Sequence, residues 1–209
     1  MHISDGVLST QVCIGGYAVA LGIAAVCARK MDKMELPKIA VVTSVFFVAS
    51  LINVPLGATS VHLILPGMVG LILGTMAFPS IMLGIGLQAI LFSHGGLTTI
   101  GANSLLMGIP ALMCACIFSM GRKLRSRNLI IGMGALCGAL GTAFAGVILA
   151  LLLMTAGEDF GGVAQMTLWA HLPVMVIEAA VSGFAVSFLL KVKPELIGVK
   201  NAPIDKSQN

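Results

Sequence analysis

Residues 129–156 read LIIGMGALCGALGTAFAGVILALLLMTA, a run of 28 residues that contains no Asp, Glu, Lys, Arg or His. A helix needs roughly 20 consecutive apolar residues to cross the hydrocarbon core of a bilayer, and this stretch exceeds that length. A surface helix of a soluble domain would carry polar residues along one side, which this stretch does not. The stretch therefore predicts a transmembrane helix.

The rest of the chain has a similar composition. Of its 209 residues, 58% are hydrophobic and 10% are charged, and the mean hydropathy is +1.05. A soluble domain of this length needs more polar surface. Seven stretches are candidate spans: Thr10–Ala28, Pro37–Asn53, His62–Phe78, Pro79–Phe92, Ser104–Met120, Leu129–Ala156 and Thr167–Leu190. The sequence thus predicts an all-α integral membrane protein with seven transmembrane helices. Pro79 either separates the third and fourth of them or kinks one long hairpin-like segment, and the charge distribution favours the separation.

The basic residues predict its orientation. All twelve follow the first, fifth or seventh candidate helix: Arg29, Lys30, Lys33, Lys38, Arg122, Lys123, Arg125, Arg127, Lys191, Lys193, Lys200 and Lys206. Lys and Arg accumulate on the cytoplasmic side of membrane proteins, and seven helices place all three clusters on one side. We therefore expect an outside N-terminus and a cytoplasmic C-terminus in the cell (inner, cytoplasmic) membrane. The single domain then divides into an N-terminal segment (1–9), a transmembrane bundle (10–191) and a cytoplasmic tail (192–209).

The four histidines are the candidate metal ligands. In this topology His2, His62, His94 and His171 all lie on the outer side or at outer helix ends. Imidazole is a favoured ligand for Ni²⁺, Co²⁺, Cu²⁺ and Zn²⁺. One histidine alone is more often a hydrogen-bonded packing residue, but four on one face favour metal binding.

The position of His2 suggests a specific chelate. We expect Met1 to be retained, because His2 is too large for the usual removal of an initiator Met. The amine of Met1, the amide nitrogen of His2 and its imidazole then supply three nitrogens in one plane. A fourth nitrogen, for which we choose His62, completes a square-planar site, a geometry typical of Ni²⁺ or Cu²⁺ with nitrogen ligands.

Four further residues, Asp5, His94, His171 and Glu178, are candidates for supporting positions around these ligands. Asp5 either holds a ligand by a hydrogen bond or is a turn residue before Gly6. His94, in the loop SHGGLTTIGANS, either supports the ligands or caps the loop. Glu178 lies seven residues beyond His171 on the same helix face. Carboxyl groups inside membranes are usually functional or paired, and for Glu178 we favour a structural hydrogen bond slightly over a transport role.

The opening MHISDGVLS resembles the MHIPDGFLS-type start of the CbiM/NikM proteins. These are the substrate-binding (S) components of cobalt and nickel energy-coupling-factor (ECF) transporters. Residues 87–110, LQAILFSHGGLTTIGANSLLMGIP, and 171–183, HLPVMVIEAAVSG, resemble two further signatures of that family. The resemblance implies seven helices with the N-terminal segment inserted into the bundle from outside. It also implies a metal held by Met1, His2 and His62, although Val61 stands where the family often has Gly.

The resemblance further implies partners: a transmembrane scaffold (T) subunit, two ABC-type ATPase subunits and often a small accessory membrane subunit. The chain has no G-x-x-x-x-G-K-[ST] phosphate loop, so we expect ATP hydrolysis in the partners and no enzymatic activity here. Ni²⁺ or Co²⁺ is the expected substrate, with no organic cofactor and no nucleic acid. The sequence leaves the choice of metal open.

Two other functions remain open at this stage. A stand-alone secondary transporter would exchange a divalent metal for protons and use Glu178. An intramembrane metalloenzyme would need an open coordination position with a polarised water, which a four-nitrogen planar site lacks.

Overall fold

The computed structural model describes residues 2–51, 53–56, 59–124, 126–157 and 161–199, with the backbone alone for 53–56 and 59–62. The elements in these ranges are α1 (Thr10–Ala28), α2 (Leu36–Ala49), β1 (Asn53–Leu56), β2 (Thr59–His62), α3 (Pro66–Leu73), α4 (Ala77–Phe92), α5 (Ile100–Gly121), α6 (Arg127–Met154) and α7 (Gly161–Val192), with short 3-10 turns between some of them. Helix α5 packs against α1, α3, α4 and α6, and α6 also packs along α7.

Five helical segments of the described chain are long and apolar enough to cross a membrane: Thr10–Ala28, Pro66–Phe92, Ile100–Gly121, Arg127–Met154 and Gly161–Val192. Large apolar side chains on their outer faces are exposed, such as Ile14 at 65% and Phe184 at 78%. These features fit a bundle surrounded by lipid. The protein is thus a multi-pass membrane protein. The number of seven spans and the sidedness of the termini stay predictions, since α2 has 14 residues and rises only about 21 Å.

The first predicted helix is confirmed at both ends. Helix α1 begins at Thr10 because the side chain of Ser9 caps it, accepting a hydrogen bond from the backbone N–H of Val12 at 3.5 Å. It ends at Ala28, where the apolar run meets Arg29.

The predicted break at Pro79 is wrong. The chain bends earlier, in a 3-10 turn over Gly74–Met76, where Gly74 has a φ of +60°. Pro79 is the third residue of α4. A proline is tolerated there because the N–H groups of a first helical turn have no partner within the helix.

The segment after α2 differs most from the prediction. It forms an antiparallel hairpin in which Asn53 pairs with His62 and Leu56 pairs with Thr59. The predicted second helix therefore ends too late and the predicted third helix begins too early, because the residues between α2 and α3 form this hairpin. The predicted start of the seventh helix, Thr167, is six residues late, since α7 begins at Gly161. Strand β2, which contains His62, packs against α7.

Candidate metal centre

The N-terminal segment is bound to the beginning of α5. The side chains of His2 and Ile3 are 3% and 0% exposed. The backbone N–H of Ile3 donates to Asn103 Oδ1 at 2.8 Å, and Asn103 Nδ2 donates to the carbonyl oxygen of Ile3 at 3.0 Å. The hydroxyl of Thr99 donates to the same carbonyl oxygen at 2.8 Å. Both peptide groups that flank Ile3 are thus held, including the one that joins it to His2.

Asn103 is the residue that makes this burial possible. A backbone N–H and C=O removed from water must find partners, and the amide of Asn103 supplies one of each kind. Asn103 itself is fully buried in the first turn of α5. Asn103 is the Asn of the loop SHGGLTTIGANS, and the sequence alone predicted no role for it. The available signal was an amide side chain at the start of an otherwise apolar helix.

Asp5 attaches the same segment to the turn before α5. Its carboxylate accepts hydrogen bonds from the backbone N–H groups of Leu97 at 3.1 Å and Thr98 at 2.9 Å, and from the Thr98 hydroxyl. The Tyr17 hydroxyl on α1 donates to the carbonyl oxygen of Leu97. A Cβ on Gly96 would collide with the Asp5 carboxylate and displace it from these hydrogen bonds. Residues 2–5 are therefore anchored at both ends.

His94 lies over His2. The two rings stack with centroids 6.2 Å apart and planes 18° from parallel, and Phe92 contacts the His94 ring. The loop reaches this position through Gly95, whose φ is +78°. A Cβ there would lie 2.9 Å from Asn103 Nδ2 and 3.3 Å from the Cβ of His2. The Gly95-Gly96 pair thus lets the loop cover the N-terminal segment closely.

Glu178 holds the backbone that follows His62. Its Oε1 atom accepts hydrogen bonds from the N–H groups of Ile64 at 2.5 Å and Leu65 at 2.8 Å. Leu65 has a left-handed φ of +54° and leads into Pro66, the first residue of α3. The structural hydrogen bond favoured from the sequence is therefore present. It fixes the turn that begins two residues after His62.

The structure places the remaining candidates as follows. His171 is 2% exposed and lies ten residues inside α7, where Nδ1 is 2.6 Å from the carbonyl oxygen of Thr167. Met1 and the side chain of His62 lie outside the described residues. Among the described side chains, no three of the types His, Cys, Asp and Glu are grouped to hold a metal ion. The described part contains the hydrogen bonds of Asn103 to Ile3, next to His2, and those of Glu178 to the turn that follows His62.

The Asn103→Ala variant is expected to bind Ni²⁺ or Co²⁺ about 10–100-fold more weakly, the usual cost of losing a residue that orients a metal ligand. The substitution leaves the buried N–H of Ile3 without its acceptor, which also destabilises the docked segment. Calorimetry on the purified protein measures the affinity. An Asn103→Ala affinity equal to that of the wild type would contradict the assigned role, and Gln11→Ala, at an exposed position of α1, serves as the unaffected control.

The attachment of Asp5 is expected to depend on pH. The Thr98 hydroxyl lowers the pKa of the Asp5 carboxyl below its ordinary 3.8. Desolvation opposes this shift, and the N–H groups of Thr98 and Leu97 add to it. A lowered folded-state pKa stabilises the protein above the unfolded pKa of about 3.9, and this contribution is lost as pH falls through the folded pKa. Asp5→Asn should therefore lower the Tm by a few degrees at about pH 7 and by less at about pH 3. A Tm difference that does not shrink on acidification would contradict this assignment.

Comparison with known proteins gives a consistent picture. The family described as the cobalt uptake substrate-specific transmembrane region, CbiM, matches residues 2–196. A Haemophilus influenzae protein provisionally named as a metal transport protein is 36% identical over 202 residues, covering 94% of this chain and 97% of that protein. The cobalt transport protein CbiM of Sorangium cellulosum is 26% identical, covering 94% of both.

The fused nickel transport protein NikMN of Rhodobacter capsulatus is 29% identical over 97% of this chain and 65% of its own length. A solved structure of a transition metal transporter superimposes with a TM-score of 0.81 at 28% identity, covering 92% of this chain and 93% of that one. A truncated transition metal transporter gives 0.77 at 26% identity, with 91% and 99% covered. The match to the family model includes the N-terminal segment, the loop that precedes α5, and helix α7. The chain belongs to the CbiM family of cobalt uptake substrate-specific transmembrane regions.

Proposed function

We propose that this protein is the substrate-specificity (S) subunit of an ECF-type ABC importer and captures Ni²⁺ or Co²⁺ with its own N-terminus. The ligands are the amine of Met1, the amide nitrogen and imidazole of His2, and the imidazole of His62. The observation that carries the proposal is the docking of residues 2–3 on Asn103, because a chelate built from the chain terminus works only if that terminus is held in one place. Relatives named for cobalt and for nickel transport support both metals.

The supporting contacts suit this chemistry. Residues that orient metal ligands are part of a functional site, because they reduce the entropy lost when the ion binds. Asn103 and Thr99 fix the backbone of Ile3, next to His2, and Glu178 fixes the turn that follows His62. Metal binding must displace the amide proton of His2, which Ni²⁺ promotes far better than Mg²⁺ or Ca²⁺ does. The proposed site therefore selects against the abundant hard cations.

Delivery to the cytoplasm is assigned to partners: a transmembrane scaffold (T) subunit, two ABC-type ATPase subunits and a small accessory membrane subunit. In this arrangement the protein lies in the cell (inner, cytoplasmic) membrane, with its N-terminus outside and its basic loops in the cytoplasm. The ion is then captured on the face from which it arrives.

The test measures nickel uptake into proteoliposomes that contain this protein alone or together with its partner subunits. We expect uptake only with the partners, and only with ATP inside the compartment that faces the basic loops. Uptake by this protein alone, driven by a pH gradient, would instead establish the stand-alone exchanger. Metal content of the purified protein, measured in parallel, tests capture separately from delivery.

A further inference from the structure

The three basic clusters of the sequence meet at one end of the bundle. Lys38, in the first turn of α2, and Lys193, directly after α7, both line a cavity of about 520 Å³. Lys38 also lines an adjoining cavity of about 230 Å³ together with Arg122, the residue that follows α5. Each cluster therefore contributes one cation to the same small region.

The larger cavity is a groove with a cationic end and an apolar body. Apart from the two lysines, the described side chains that line it are all apolar. Helix α2 contributes Val41, Val42 and Val45, which share one helix face with Lys38 because their spacing from it is three, four and seven residues. The other helices and the last 3-10 turn contribute Met68, Ile72, Leu189 and Leu196. The groove thus follows α2 for about 10 Å from its lysine end.

The groove is open to the surroundings of the bundle. Val41 is 63% exposed and Val45 is 44% exposed, although both are apolar and lie in a helix. The volume of the groove is within the range of about 300–1,000 Å³ that is typical of sites for small ligands. In a bundle surrounded by lipid, the apolar molecule that reaches such a groove is a lipid acyl chain. Its cationic end and apolar body match the two parts of an anionic phospholipid, the headgroup and the chain below it.

Two carboxylates lie in the same region and leave the lysines available. Glu35 Oε1 is 3.9 Å from Lys38 Nζ, and the Glu35 side chain is 48% exposed, so this is a weak, solvent-screened pair. Glu195 lines the smaller cavity together with Arg122. Neither carboxylate is among the described residues that line the groove itself, where Lys38 and Lys193 are the charged ones. An anionic headgroup is attracted there, and the ammonium group of a zwitterionic headgroup is repelled.

We propose that this groove binds one anionic phospholipid, with its phosphate group between Lys38 and Lys193 and one acyl chain along Val41 and Val45. The basic end of a membrane protein meets the leaflet in which anionic lipids attract Lys and Arg. Basic pockets between helices at that end are typical sites for such headgroups. The lipid site is separate from the proposed metal centre and needs neither the N-terminus nor a histidine.

The test measures fluorescence quenching of the full-length protein in vesicles of phosphatidylcholine and phosphatidylglycerol. Trp169→Phe removes the single Trp of the chain, and Val45→Trp then places a reporter in the groove. Bromine atoms on the acyl chains of one lipid at a time quench Trp on contact, which compares the two lipids at this position. Phosphatidylglycerol should bind about 5-fold or more strongly than phosphatidylcholine, the effect of roughly one lysine contact. Val41→Trp, at a more exposed position of the groove, is a second reporter and should give the same preference.

Val19→Trp is the matched control reporter in the same Trp169→Phe background. Val19 is exposed on α1, nine residues from its end at Ala28, and Val45 lies nine residues from the start of α2 at Leu36. Because a short connection joins these two helix ends, the two reporters lie at similar depths. The Val19→Trp reporter lies outside the groove and should show little preference between the two lipids.

Replacing the lysines tests the headgroup contact. Lys38→Gln combined with Lys193→Gln should remove the preference at the Val45→Trp reporter. Lys30→Gln combined with Lys33→Gln removes the same charge from exposed positions outside the groove and should keep it. Equal quenching by the two lipids in the groove would mean that bulk lipid fills it without selection, and no quenching by either would mean that protein, such as a second copy of the chain, covers it. Either result overturns the proposal, as does a preference that survives the loss of both groove lysines.

Discussion

One residue added before Met1 is expected to abolish high-affinity Ni²⁺ and Co²⁺ binding, lowering the affinity by about 100-fold or more. The extension moves the terminal amine out of the chelate ring and converts the nitrogen of Met1 into an amide. Neither change alters the hydrogen bonds that hold Ile3 on Asn103. Calorimetry on the purified protein measures the loss directly.

The control is the same residue added after Asn209, at the opposite end of the chain. It changes the length equally and should bind metal like the wild type. Equal affinities for the two extended proteins would mean that the terminal amine is not a ligand. A Tm measurement on both proteins identifies any loss caused by misfolding.

His62→Ala and His2→Ala should each cost about 100-fold or more in affinity, because each removes a ligand from the proposed square plane. His171→Ala should cost about 10-fold or less in the otherwise unchanged protein, since its imidazole is held by the carbonyl oxygen of Thr167 and is not one of the proposed ligands. The order of the three effects is therefore the prediction. It separates the proposed ligands from a buried histidine that is not one of them.

Gln11→Ala is again the control for general perturbation, and metal bound per protein is measured beside the affinity. If His171→Ala weakened capture strongly while His62→Ala bound normally, His171 would be the fourth nitrogen in place of His62. If His62→Ala bound normally, the four-nitrogen assignment would be wrong.

Composition predicted the membrane class, and the apolar run that ends at Arg29 predicted α1. The start of α1 follows from Ser9 and its end from the first basic residue, both of which are local signals. The bend before α4 was misplaced because Pro79 is a stronger sequence signal than Gly74, although proline is harmless in a first helical turn. The hairpin was missed because its four-residue strands are too short for a periodic pattern.

The sequence also indicated which residues matter more readily than how they are held. His2 was identified as a candidate ligand from its position in the chain. The hydrogen bonds that hold Ile3 on Asn103 join residues 100 positions apart, and no local pattern can reveal such a contact. The same holds for Glu178, whose partners Ile64 and Leu65 are more than 100 positions earlier. An intramembrane carboxyl group predicts that a partner exists, and only the packing of α7 beside β2 identifies it.

The geometry of the bound ion tests the central claim most directly. The absorption spectrum of the purified protein loaded with one equivalent of Ni²⁺, combined with X-ray absorption at the nickel edge, reports both coordination number and ligand type. The account predicts a square-planar ion with four nitrogen ligands, two of them imidazoles. A six-coordinate ion bound mainly by oxygen in the unmodified protein would contradict capture by the N-terminus.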